Sequence, residues 1–209
     1  MSESDRDKWN CRYLEGSYAG RDHPTALLEE WESELRRGRA LDVACGAGRN
    51  SLFLASRGWH VDAVDISAAG LGRARAAAEA RGLDVEWLEA DLDAERGDPL
   101  EHVPGAGSAY DLIVLVRYVN AALIPYLAAR LAEGGTLLCE EHLLSTADVV
   151  GPRSAAYRLK PGELLENVKS LTDRVRLDVL HYREGLVRDP DGRLAALAQL
   201  VLRRGAAAP

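Results

Sequence analysis

The stretch "ALDVACGAGRNSLFLA", residues 40–55, limits the possible folds more than any other part of the chain. Apolar residues of strand character run into Cys45-Gly46-Ala47-Gly48, and an apolar segment of helical character follows. Glycines at such a turn permit positive φ and a close approach of backbone to ligand. A helix starting at Arg49 would direct free N–H groups into the same crevice. Open α/β sheets bind ligands there, beyond the carboxyl ends of their parallel strands.

The rest of the chain repeats the alternation. Strands are expected over residues 39–45, 59–66, 84–91, 110–119 and 136–143, with Val61, Ala63 and Val64 turned inward. Helices are expected over 49–57 and 69–82, and over 121–135 with a stop at Gly134-Gly135. This order implies a parallel sheet with right-handed crossovers and helices on both faces. Its apolar strands fit burial on both sides. The tail differs. Residues 174–182 alternate Val175, Leu177 and Val179 with Arg174, Arg176 and Asp178, as a strand with one wet face does. The turn residues "RDPDG" (188–192) and a strand over 194–204 complete an antiparallel hairpin. A helix is expected from "KPGELLENV", with Pro161 near its first turn.

The expected fold class is thus α/β, a Rossmann-like three-layer α/β/α sandwich on a mostly parallel seven-stranded sheet with a C-terminal antiparallel hairpin. Its 209 residues suffice for a single domain, 1–209. Residues 1–35, with Trp9, Tyr13, Tyr18 and Trp31, read as a helical segment across the sheet edge, and 36–205 as the core.

A net charge of −7 argues against a nucleic-acid backbone binder, which needs a basic face. No apolar run is long enough to span a membrane, and "MSESDRDKWN" has no signal-peptide core. Cys11, Cys45 and Cys139 cannot all pair and lack metal-ligand spacing. They fit a cytoplasmic protein with reduced thiols and no metal.

The loop itself discriminates among ligands. A dinucleotide fingerprint wants a third glycine where Ser51 stands, and the Lys of a phosphate-binding loop is absent. Acidic residues recur at strand ends instead: Asp42, Asp65 and Asp91. A carboxylate ending the second strand can accept hydrogen bonds from a ribose diol. Carboxylates near the loop suit a ligand with an ammonium and a sulfonium, and would repel a pyrophosphate.

On these residues the chain resembles the class I S-adenosylmethionine-dependent methyltransferases. "GAGRNS", "WNCRY" and the tail "GPRSAAYRLKPGELLE" with "LHYREG" resemble the tellurite-resistance and thiopurine methyltransferase-like branch. The resemblance implies S-adenosyl-L-methionine as cofactor and S-adenosyl-L-homocysteine as product. It matches Asp42 through Gly48 to the first motif, with Ala44 in a place usually held by glycine. It matches Asp65, with Ile66 beside it, to the ribose acid, and Asp91 with Leu92 to the adenine contact. Val116, Arg117 and Tyr118 match the fourth-strand motif that faces the methyl donor.

Further candidates keep two readings each. Cys45 reads as a small residue filling tight space. Arg49 and Asn50 are either first-turn residues or fix the loop. Trp9, Arg12 and Tyr13 share a helical face, as a docked helix or as a lid over cofactor and acceptor. Tyr13, Arg117 and Arg153 are candidate acceptor contacts, with His142 on the same side. Tyr118 and His142 are the candidate bases for an oxygen nucleophile, whereas a soft sulfur, selenium or tellurium nucleophile needs none.

The expected activity is methyl transfer to a small-molecule acceptor, such as a thiol or a selenium or tellurium oxyanion, by a monomer or homodimer. The rival readings are a nicotinamide-dependent oxidoreductase and a non-catalytic S-adenosylmethionine-binding protein.

Overall fold

A computed structural model describes residues 3–93, 98–101, 103, 109–169, 171 and 176–205. Its strands are β1 (Arg39–Val43), β2 (His60–Asp65), β3 (Glu86–Glu89), β4 (Tyr110–Val116), β5 (Leu131–His142), β6 (Leu177–Arg188) and β7 (Leu194–Arg204). They form one seven-stranded sheet in the order β3-β2-β1-β4-β5-β7-β6. The first five pair in parallel, and β7 runs antiparallel between β5 and β6. The expected sheet and its terminal hairpin are both present. The order reverses between β1 and β4, which opens the ligand crevice at their carboxyl ends.

The helices are α1 (Glu3–Leu14), α2 (Ala26–Trp31), α3 (Arg49–Ser56), α4 (Ala68–Arg81), α5 (Ile124–Ala129) and α6 (Glu163–Lys169). Both sheet faces are covered because the strands are apolar on both sides. Leu41, Val43, Ile113, Leu115 and Leu137 pack with Leu127 of α5 and Leu164 of α6. Ala40, Val61, Ala63, Val114 and Leu138 pack with Leu28 of α2, Leu54 of α3 and Leu71 of α4. The hairpin strand β7 joins both layers through Leu200 and Val201.

Three expectations need correction. The helix expected over 121–135 is a 3-10 turn at Ala121–Leu123 followed by α5, which stops at Ala129. Residues from Leu131 belong to β5. Tyr110 pairs with Leu131, and the Tyr110 N–H donates to the Arg130 carbonyl at 2.8 Å. A β-carbon on Gly135 would lie 2.6 Å from the Tyr110 carbonyl oxygen. This glycine therefore admits a neighbouring strand rather than ending a helix. Second, the period-two reading fails at Val179, which is 46% exposed. The register shifts between Val179 and His181, and this irregularity in the edge strand turns the alternation over. Val175 and Arg174 lie outside the described residues. Third, the N-terminal segment does not lie across the sheet edge. α2 buries Leu27 and Leu28 against a sheet face, and α1 packs on α4.

Candidate active site

The first turn after β1 is built from backbone strain and one glycine contact. Ala44 has φ 55, a left-handed conformation that a β-carbon disfavours. Its departure from glycine is therefore a matter of backbone strain. Gly46 and Gly48 also have positive φ. A β-carbon on Gly46 would meet the Tyr13 hydroxyl, whereas one on Gly48 would meet Trp87 and Ala74. Gly46 thus opens toward the N-terminal segment, and Gly48 serves the packing of α3 against β3 and α4.

The acids at the strand ends differ in what they hold. Asp42 is buried within β1 and accepts a hydrogen bond from Ser51 Oγ at 2.5 Å. Burial raises its pKa to about 7 against the opposing pull of Ser51 and Arg49. Asp65, at the end of β2, accepts from the Gly46 N–H through Oδ2 and from the Ser67 N–H through Oδ1, both at 2.8 Å. Burial raises its pKa, and these amides oppose the rise. Asp65 therefore clamps the glycine turn to the start of α4. Ser67 caps that helix by accepting from the Gly70 N–H at 3.0 Å. Asp91 accepts from the Asp93 N–H at 2.9 Å. Ile66 and Leu92 are buried beside these acids, as is Cys45, whose thiol pKa burial pushes well up.

The N-terminal helix sits over this turn. The Asn10 side-chain Oδ1 accepts from Ser67 Oγ at 2.8 Å and from the Ala69 N–H at 3.1 Å. Arg73 Nη1 donates to the Ser17 carbonyl at 3.0 Å. Trp9, Tyr13 and Tyr18 form a ring cluster, and Arg12 lies 4.9 Å over the Trp9 ring. Arg12 is thus placed on an aromatic face. Tyr13, read from sequence as an acceptor contact, lies against Gly46 and Gly70 at the cofactor end.

A second cluster lies beyond β4 and β5. Arg117, with φ 61, donates from Nη1 and Nη2 to the two carboxylate oxygens of Asp189 at 2.9 and 2.5 Å. Its Nε and Nη2 also lie 3.3 Å from Glu140 Oε1. Glu140, fully buried, further accepts from Thr25 Oγ1 at 2.7 Å and from Gln199 Nε2 at 2.9 Å. Both arms of Arg117 are engaged, so its structural duty is to tie β4 and β5 to the hairpin turn. Val116 precedes it, buried against the α3 and α4 face. Asn50, expected at the cofactor, accepts from the Thr25 N–H at 3.0 Å and so anchors the N-terminal segment.

His142 is buried, and a β-carbon on Gly151 would lie 2.5 Å from its ring. Burial, with Arg117 and Arg158 adding repulsion, lowers its pKa to about 3. Tyr118 donates to Asp93 at 2.6 Å, and Asn120 donates to the same oxygen. Burial and then Asp93 push the Tyr118 pKa above its ordinary value. Arg153 is exposed. Arg158 stands near His142 instead, holding the carbonyls of Pro152 and Leu143. Sequence reasoning did not find Glu140, Asp189 or Arg21. Asp189 carried only a turn signal, and no local pattern marks a partner 72 residues away.

Residues 40–135 match the family described as a methyltransferase domain. An uncharacterized protein of Mycobacterium tuberculosis is 48% identical over 63 residues, which cover 30% of this chain and 23% of that protein. A ubiquinone biosynthesis O-methyltransferase of Marinobacter nauticus is 29% identical over 135 residues, covering 62% and 52%. The crystal structure of TehB from Haemophilus influenzae superimposes with a TM-score of 0.67 at 22% identity, covering 91% of this chain and 66% of that one. The chain thus spans about a quarter to two thirds of these relatives. Residues 40–135 thus match a methyltransferase domain, and the whole fold is shared with that solved structure. S-adenosylmethionine is the cofactor that the resemblance of the Asp42–Gly48 motif implies. The residues present fit it. A carboxylate ends β2, and its neighbour in the first turn, Gly46, leaves no room for a β-carbon beside the Tyr13 hydroxyl.

Proposed function

We propose that the chain transfers a methyl group from S-adenosylmethionine to a small acceptor already ionised near neutral pH, a thiolate or a selenium or tellurium oxyanion. One observation carries this choice of acceptor: neither candidate base suits proton removal. The Tyr118 proton is held toward Asp93, and His142, with a pKa of about 3, is a weak base. A soft nucleophile needs no such group. When bound, the cofactor would supply an electrophilic methyl carbon on a sulfonium, with S-adenosylhomocysteine as the leaving thioether.

In this reading Asp65 receives the ribose diol with the acceptor capacity left beside its two amide bonds. Asp91 and Leu92 border the adenine. Asp42, half ionised near pH 7, faces the cationic end of the methionine arm. Trp9 and Tyr13 exclude water from above. Arg117 supports the acceptor side through the paired ends of β4 and β5.

The test is S-adenosylhomocysteine production in a screen of thiols, selenite, tellurite and matched phenols. Turnover with the soft acceptors supports the reading. Turnover confined to phenols would overturn it. Product formation with none, despite cofactor binding, would favour a binding protein.

A further inference from the structure

Among the described residues, no carboxylate is hydrogen-bonded or ion-paired to the Arg49 guanidinium. Arg49 opens α3, directly after Gly48. Its one hydrogen bond among the described residues runs from Nη1 to the His23 carbonyl at 3.4 Å, near the outer limit for such a bond. The acids within electrostatic reach are already committed. Glu140 serves Thr25, Gln199 and Arg117, Asp189 serves Arg117, and Asp42 accepts from Ser51. Arg117 and Arg21 add repulsion, and burial disfavours the charge further. Arg117 shows the alternative arrangement, a buried guanidinium clamped by two carboxylates. A half-buried cation left in Arg49's state is costly unless an anion arrives.

The cofactor carries such an anion. Its methionine arm ends in an ammonium and a carboxylate, and Asp42 and Asp65 repel the carboxylate. The planar guanidinium fork matches a carboxylate in two parallel hydrogen bonds. We infer that Arg49 takes the α-carboxylate of the cofactor's methionine arm and so selects adenosyl ligands that carry it. The inference rests on the cofactor reading above and adds a residue that sequence reasoning left as a loop-fixing candidate.

Titration calorimetry on the full chain tests it with two ligands: S-adenosylhomocysteine and its decarboxylated analogue, which keeps the thioether and the amine. Arg49→Gln is expected to weaken S-adenosylhomocysteine on the order of 10- to 100-fold and to leave the analogue unchanged. Arg49→Lys is expected to lose less, for S-adenosylhomocysteine alone, because a point charge replaces the fork. Equal loss for both ligands in both variants, or no loss for either, would overturn the assignment. If the wild-type chain binds neither ligand, the cofactor reading falls with it. Wild-type binding that is indifferent to residue 49 sinks the Arg49 role alone.

Discussion

The phenolic oxygen of Tyr13 lies 2.2 Å from the point a β-carbon on Gly46 would occupy. Asp65 holds the Gly46 amide from the other side. The N-terminal helix, the glycine turn and the second strand therefore meet at one residue. Gly46→Ala combines a strained φ of 59 with this collision. It should destabilise the chain by about 2–3 kcal/mol. Tyr13→Phe removes the colliding oxygen and should restore about 1 kcal/mol in the double variant. Urea unfolding of the four chains measures the coupling; strict additivity would remove the contact.

Asp65→Ala strands two buried amides and takes away the proposed diol acceptor. Folding stability should fall by about 1–3 kcal/mol, and S-adenosylhomocysteine binding should weaken by a similar amount. Calorimetry and thermal unfolding separate the two effects. Undiminished binding would remove the ribose role.

Asp42 gives stability a pH dependence of predictable sign. Burial raises its folded pKa from the ordinary carboxylate value of 3.8 to about 7. The fold therefore favours the protonated acid. Its contribution is fully present below about pH 4, declines as the unfolded chain ionises, and is lost once pH passes about 7. Asp42→Asn should flatten the urea midpoint across that window, against a wild-type decline on the order of 2–4 kcal/mol. An equally steep decline in the variant would show that Asp42 does not set it.

Glu141 is buried near the end of β5, and neither carboxylate oxygen has a hydrogen-bond partner among the described residues. The Tyr118 amide approaches it without reaching hydrogen-bond geometry. Burial raises its pKa well above normal. Glu141→Met should stabilise the chain by about 1–3 kcal/mol, more at pH 8 than at pH 5, because ionisation of the buried acid opposes folding. Differential scanning calorimetry at the two values would show it. A loss of stability would mean the carboxyl has an unrecognised partner.

Ala44 provides the simplest stability test. Its φ of 55 suits glycine. Ala44→Gly should raise stability by about 0.5–1 kcal/mol, the relief of left-handed strain exceeding glycine's added entropy. A lowered melting temperature would contradict the strain.

Much of this protein was legible in its sequence. The Gly-x-Gly turn after "ALDVAC", the apolar strands and the late turn at 188–192 determined a parallel sheet closed by a hairpin, because periodicity and turn chemistry act over a few residues. Asp42, Asp65 and Asp91 stood out as acids at strand ends for the same reason. Only the tertiary structure decided what those residues hold. Ser51 takes Asp42, and two amides take Asp65. Arg117 is claimed by Asp189, 72 residues away, while Arg49 has no carboxylate partner among the described residues. Gly135 could signal a helix end locally, yet the neighbouring Tyr110 carbonyl makes it part of a strand. Charge partners and strand neighbours are chosen by packing between distant segments, and no local pattern in the chain records that choice.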